Sequence, residues 1–203
     1  MKIICIGLNY RKHALELGWP VPDEPVVFLK PDSSILKNNK PFFLPDFSTD
    51  INYEVEVVLK ISKLGKGISA KFAPRYFDEI TLGIDITARD LQTRFKIAGM
   101  PWELSKCFDG AAPLGHFISV SSIKDINNLD FRLEINNEVR QQGDTSDMIF
   151  SINEIIEYVS RFFTLKTGDL IFTGTPPGIG QLQRNDNLVA YLGDEPVLDF
   201  MIK

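Results

Sequence analysis

Apolar and polar positions along this chain change period several times, and the changes mark out its elements. Residues 3–8 form a short continuous apolar run, the pattern of a buried strand. Residues 11–17 fit one or two helical turns. Gly18-Trp19-Pro20-Val21-Pro22 then breaks the chain, because proline lacks a donor and restricts its predecessor. Residues 26–29 are a β-branched and aromatic run ending in a turn at Lys30-Pro31-Asp32-Ser33-Ser34, and 41–47 read as loop or edge. Residues 53–59 alternate and then turn apolar throughout, which predicts a strand, and 80–86 predict another. Leu91, Phe95 and Ala98 lie at helical spacing within 88–98.

Residues 131–135 and 138–140 flank Asn136-Asn137, a hairpin turn. The clearest helix is 151–163, with Ile152, Ile155, Ile156, Val159 and Phe163 on one stripe and a capping box from Ser151 to Glu154. A strand at 170–173 runs into a glycine-rich loop at 174–180, and strands at 188–192 and 197–202 follow. Strands outnumber helices and alternate irregularly with them. The fold class is therefore α+β and β-rich, one domain over 1–203, and not a regular βαβ repeat.

Composition narrows the partners. With 44% hydrophobic and 24% charged residues in 203, the chain can bury an ordinary core. A formal charge of −5 excludes the basic clustering that nucleic acid or an anionic membrane requires. No stretch reaches the ~20 apolar residues of a membrane helix, and the first apolar run is too short for a signal peptide. Cys5 and Cys107 read as reduced thiols. The expectation is a cytoplasmic protein acting on a small molecule. Its two histidines, His13 and His116, cannot build a His₃ or HExxH zinc site.

Five features carry candidate chemistry, each with a plain structural counterpart. Glu54 and Glu56 point to one side of a strand, either toward solvent at a sheet edge or toward a divalent cation. Asp85 lies inside an apolar strand, where it either pairs with Arg89 or another base or serves as a third ligand. His13 and Glu16 share a helical face, as a surface pair or as a general base with its orienting carboxylate. Gly174-Thr175-Pro176-Pro177-Gly178-Ile179-Gly180 matches neither a P-loop nor GxGxxG. It is a tight turn, or a loop whose amides and Thr175 hydroxyl bind a carboxylate. Lys106 either snorkels or binds an anionic substrate, and Trp102 reads as core.

These pieces together resemble the fumarylacetoacetate hydrolase family, in its short acylpyruvase and oxaloacetate decarboxylase-like branch. The matching segments run in order from Gly7-Leu8-Asn9-Tyr10-Arg11-Lys12-His13-Ala14-Leu15-Glu16 through Phe28-Leu29-Lys30-Pro31-Asp32-Ser33-Ser34, Tyr53-Glu54-Val55-Glu56, Gly83-Ile84-Asp85-Ile86-Thr87-Ala88-Arg89-Asp90-Leu91-Gln92 and 102–109 to the 174–180 loop. The resemblance implies a mixed β-sandwich roll and a homodimer. It implies Glu54, Glu56 and Asp85 as ligands of Mg²⁺ or Mn²⁺, and His13 with Glu16 as an acid–base dyad on a lid segment. Lys106 and Gln92 match residues near metal and substrate. Arg89 and Thr175 match residues that contact the substrate or shape its pocket, while Tyr10, Lys30 and Ser33 match motif positions, Tyr10 being taken as substrate-binding.

Phe108-Asp109-Gly110-Ala111-Ala112-Pro113 departs from the branch near the site, which bears on the substrate more than on the chemistry. The implied activity is cleavage of the C3–C4 bond of a 2,4-dioxo acid or related oxo diacid through a pyruvate enolate, by acylpyruvate hydrolysis or oxaloacetate decarboxylation. Isomerisation or tautomerisation of a related substrate is the rival reading, and a non-catalytic metal-binding module the remote one.

Overall fold

The computed structural model describes residues 1–203. The main sheet has six strands, in the spatial order Val26–Lys30 (β2), Ile3–Gly7 (β1), Leu170–Phe172 (β12), Val55–Ile61 (β5), Phe77–Ile84 (β6) and Ile118–Ser119 (β9). It is mixed: β1 and β12 pair in parallel and every other neighbour is antiparallel. An antiparallel sheet of four strands has the order Glu138–Asp144 (β11), Asp130–Ile135 (β10), Asn187–Leu192 (β14) and Glu195–Met201 (β15). Gly180–Gln181 (β13), Ile51–Tyr53 (β4) and Thr87–Ala88 (β7) form a small third sheet, and Ile35–Leu36 (β3) pairs with Ala112–Pro113 (β8). The helices are Arg11–Glu16 (α1), Arg89–Ile97 (α2) and Ile152–Phe162 (α3). This is the β-rich α+β class that the sequence predicts.

The main sheet is buried on both faces. Ile4, Val57 and Leu82 pack into one large cluster with Leu133 and Leu198 of the second sheet and Ile156 of α3. Ile3, Cys5, Val58, Leu170 and Phe172 pack on the opposite side with Leu114. A strand covered on two faces has no polar side to alternate with, which is why the pattern at 53–59 becomes apolar throughout. Each fully buried Leu or Ile contributes about 1.5–3 kcal/mol relative to exposure. Gly83 of β6 makes room for this packing, since a Cβ there would lie 2.6 Å from the Phe172 ring.

The helix at 151–163 forms as expected. Ser151 Oγ accepts the Glu154 N–H and the Glu154 carboxylate accepts the Ser151 N–H, while Ile152, Ile155, Ile156 and Val159 are buried. Phe163 lies one residue past the last turn and packs partly against the core. Asn136 and Asn137 have φ of 54° and 65°, both left-handed, as the tight hairpin turn requires. The returning strand β11 reaches Asp144, beyond the expected stop at residue 140. It is an edge strand with only Gln141 buried, so it carries little apolar signal. The two-residue strands (β3, β7, β8, β9, β13) and the three-residue β4 are too short to show a period. No helix is long and apolar enough to cross a membrane.

Replacing Ser151 by Ala removes one half of the capping box. The expected result is a loss of about 1 kcal/mol of unfolding free energy, read as a lower urea midpoint with an unchanged slope.

Candidate active site and metal centre

The middle of the main sheet positions the acidic residues. Glu54 stands at the break between β4 and β5, and Glu56 is the second residue of β5. Asp85 follows the end of β6, which pairs with β5 through Val55 opposite Ile84 and Glu56 opposite Gly83. The Asp85 N–H donates to the Glu54 carbonyl at 2.8 Å, locking the two strand ends together. Carboxylate oxygens of Glu54, Glu56 and Asp85 lie within 4.8 Å of one another, and all three residues are buried. Because β5 runs between β12 and β6, the solvent-edge reading of Glu54 and Glu56 does not hold.

Positive charge surrounds this triad unevenly. Lys106 Nζ bridges two members, 2.8 Å from Glu54 Oε2 and 2.7 Å from Asp85 Oδ2. Arg89 pairs with the other oxygen of Glu54 and, through Nη1, with Gln92 Oε1 at 2.6 Å. Asp85 therefore does not pair with Arg89. Its second cation is Lys30, whose Nζ lies 2.8 Å from Asp85 Oδ1 at an angle outside hydrogen-bond geometry. Lys30 is fully buried and also donates to the carbonyls of Lys106 and, at 3.0 Å, Ala111. Glu56 has no cationic partner; its Oε2 accepts the Gly174 N–H at 2.7 Å.

The protonation preferences follow. Burial works against the Glu54 charge, but Lys106 and Arg89 hold its carboxyl well below the usual range. Burial and the neighbouring Asp85 push the Glu56 carboxyl well above it. Burial opposes the Lys106 charge, yet Asp85 and Glu54 raise its pKa. A buried carboxylate of this kind, facing two others without a counter-ion of its own, is stabilised by a cation shared among the three. The donors are all hard oxygens, which suits Mg²⁺ or Mn²⁺ over thiophilic metals. The triad thus fits the metal that the sequence implies.

The glycine-rich loop binds carboxylates, but they are the protein's own. The Gly174 N–H holds Glu56 and the Gly178 N–H donates to Glu16 Oε1 at 3.1 Å. Both glycines have positive φ, and a Cβ on Gly178 would lie 2.4 Å from the Arg140 carbonyl. Thr175 lines the cavity, but its hydroxyl donates to the Val55 carbonyl and accepts from Gln141 Nε2, each at 2.9 Å. Its hydroxyl proton is committed to the fold and not free for a substrate. Buried Gln141 completes the tie, its Oε1 accepting the Val55 N–H at 2.8 Å.

A cavity of about 250 Å³ opens over the triad, lined also by His13, Arg89, Gln92, Lys106 and Thr175. His13 Nδ1 lies 3.0 Å from Glu16 Oε2, which leaves Nε2 as the ring nitrogen without a protein partner. His13 is buried while Glu16 is exposed, so the pair joins the cavity to the surface. A larger hollow of about 460 Å³, lined by Lys37, Lys60 and His116 among others, contains no carboxylate.

Two expectations are revised, those for Tyr10 and Trp102, and the motif position Ser33 lies away from the cavity. Tyr10 is not brought to the cavity: its ring packs edge-on to Phe131 and its buried hydroxyl has no partner. Ser33 is exposed in a 3-10 turn, Asp32–Ser34. Trp102 is not core but part of the cavity wall, tilted against Phe28 at 5.1 Å between centroids. Sequence reasoning also passed over Trp19 and Lys96, which line the same wall. The available signal for Lys96 was its place four residues after Gln92 and seven after Arg89 on one helix.

Known proteins resemble this chain along nearly its whole length. The family described as fumarylacetoacetate (FAA) hydrolase C-terminal matches residues 2–200. The mitochondrial oxaloacetate decarboxylase of Dictyostelium discoideum is 42% identical over 183 residues, covering 90% of this chain and 84% of that protein. Oxaloacetate tautomerase YcgM of Escherichia coli K12 is 40% identical over 188 residues, covering 92% and 86% respectively. The crystal structure of fumarylpyruvate hydrolase from Pseudomonas aeruginosa, in complex with Mn²⁺ and pyruvate, superposes with a TM-score of 0.94 at 33% identity, covering 100% of this chain and 89% of that one. The chain belongs to the fumarylacetoacetate hydrolase family and is an enzyme of that family.

Proposed function

We propose that this protein cleaves the C3–C4 bond of a 2,4-dioxo acid or related 2-oxo diacid in a reaction that depends on Mn²⁺ or Mg²⁺. The observation that carries the reading is the His13–Glu16 pair opening onto the same cavity as the three-carboxylate cluster. Glu54, Glu56 and Asp85 would hold the divalent cation, which would supply Lewis acidity that favours the enolate of a bound 2-oxo acid.

The chain's own groups do the rest. Glu16 fixes the His13 ring through Nδ1, and Nε2 takes a proton from water as that water attacks the acyl carbonyl. The same nitrogen then returns the proton to the enolate carbon. Lys106 stays charged and holds the Glu54 and Asp85 carboxylates in place through its two hydrogen bonds. Arg89 and Gln92, joined to each other, orient the substrate at the start of α2. Segment α1 acts as a lid whose Glu16 latches onto the Gly178 N–H. Similarity to the Pseudomonas aeruginosa enzyme supports hydrolysis and similarity to the Dictyostelium discoideum enzyme supports decarboxylation; both cleavages lead to pyruvate enolate.

Tautomerisation of an oxaloacetate-type substrate is the second reading. It is favoured by the 40% identity to the Escherichia coli tautomerase and needs only the proton-transfer half of the same apparatus. Turnover of acetylpyruvate, fumarylpyruvate and oxaloacetate by metal-stripped protein, with and without Mn²⁺ or Mg²⁺, separates the two. Pyruvate released only with metal supports cleavage. Decay of the enol absorbance without pyruvate from any of the three supports the tautomerase and overturns cleavage.

Two substitutions test the assignments. Glu56→Gln removes the carboxylate that has no lysine or arginine partner, so the fold is retained while Mn²⁺ binding, followed by electron paramagnetic resonance, and all turnover are lost. Asp85→Asn is a poorer probe, since it leaves the buried charges of Lys30 and Lys106 undercompensated, at a cost of about 3–5 kcal/mol. His13→Ala is expected to lower hydrolysis by about 10²–10⁴-fold while Mn²⁺ affinity is kept. Full hydrolytic activity in that variant would remove His13 from the mechanism.

A further inference from the structure

Helix α2 presents Arg89, Gln92 and Lys96 to the cavity, at spacings of three and four residues on one face. Arg89 and Gln92 are engaged with Glu54 and with each other. Lys96 is not engaged by any anion. It is half-buried, forms no ion pair within 4 Å, and its ammonium stands over two indole rings, 4.0 Å from the Trp19 centroid and 5.4 Å from the Trp102 centroid. Burial in this wall, together with the charges of Lys106 and Arg89, lowers its pKa to about 8. An ammonium in that setting gains from a carboxylate brought to it.

Position and charge both favour a ligand that reaches it. Seven residues of helix carry Lys96 about 10 Å along the axis from Arg89, away from the Glu54 end of the cavity. The charged groups lining the cavity or paired with its lining are Glu16, Glu54, Glu56 and Asp85 against Lys30, Arg89, Lys96 and Lys106. A divalent cation leaves this set with two uncompensated positive charges, which a dianion cancels and a monoanion does not. The flat faces of Trp19, Trp102 and Phe28 wall the space between with apolar surface, suited to the carbon chain of such a ligand.

We propose that Lys96, framed by Trp19 and Trp102, receives the distal carboxylate of an elongated 2-oxo diacid and so selects diacids over 2-oxo acids with an uncharged tail. This rests on the reading that the carboxylate cluster binds a 2-oxo acid through a divalent cation. The arrangement also couples the two sides of the mouth. Trp19 follows α1, its N–H bonded to the Ala14 carbonyl at 2.9 Å, so the anion site spans the His13-bearing segment and α2.

The chain has two tryptophans, Trp19 and Trp102, so indole fluorescence reports on this wall alone. The Mn²⁺-loaded protein is titrated with 2-oxoadipate and 2-oxohexanoate, which lack a 4-oxo group and differ only in the distal carboxylate. The expected result is about tenfold or tighter binding of 2-oxoadipate. Lys96→Met brings the two ligands to equal affinity, and Lys96→Arg keeps the preference. Equal affinities in the unaltered protein, or a preference that survives Lys96→Met, overturn the role of Lys96 and leave the oxo-acid reading standing. Binding of neither ligand, with Mn²⁺ bound, overturns both.

Discussion

Carboxylates packed within 4.8 Å of one another at the buried floor of a cavity repel strongly unless positive charge is built in around them. Much of the structure around the cavity meets that requirement. Lys30 and Lys106 are long, flexible side chains made almost wholly inaccessible to solvent in order to reach Asp85 and Glu54. Arg89 is placed by the first residue of α2 to take the remaining oxygen of Glu54. The compensation is deliberately incomplete at Glu56, whose only direct partner is a backbone N–H. That residual imbalance is the physical basis for a cation at the cluster.

The 174–180 loop is the second organising element. It leaves the end of β12 beside β5, and within five residues it fixes Glu56 through Gly174, the Val55 backbone through Thr175, and Glu16 through Gly178. The three-carboxylate cluster and the His13–Glu16 pair are thereby referred to the same short stretch of backbone. A loop that must offer two N–H groups to carboxylates, in left-handed conformations and at close approach to neighbouring backbone, is restricted to glycine at those two positions. Gln141 reaches in from the second sheet to the same loop, so the two sheets meet at the site as well as in the core.

The cavity joins rigid and less anchored parts. Its floor is the centre of a sheet covered on both faces, where strand ends are cross-linked by main-chain bonds. Its rim is α1, a six-residue helix with only His13 and Ala14 buried. The rim also includes the aromatic wall shared by Trp19, Trp102 and Phe28. Such a division sets the charged cluster on the most heavily bonded part of the fold and α1 on a less buried part.

Much of this was legible in the residues alone. Apolar periodicity located the long strands and α3, because each covers a face wide enough to impose a repeat. The resemblance carried by the ordered motifs singled out Glu54, Glu56, Asp85, His13 and Glu16, and folding brings them together at one cavity. Three things were settled only by folding. One was which cation serves which carboxylate: Lys30 and Lys106 reach Asp85 from 55 and 21 positions away in sequence, a distance no local pattern records. Another was the use of groups such as Thr175, whose hydroxyl looks available until strand β5 is placed beside it. The last was the exchange of places between Tyr10, which folds into the core, and Trp102, which faces the cavity. Aromatic residues serve either environment equally well, so their composition fixes only that they are buried somewhere, and the packing of distant segments decides where.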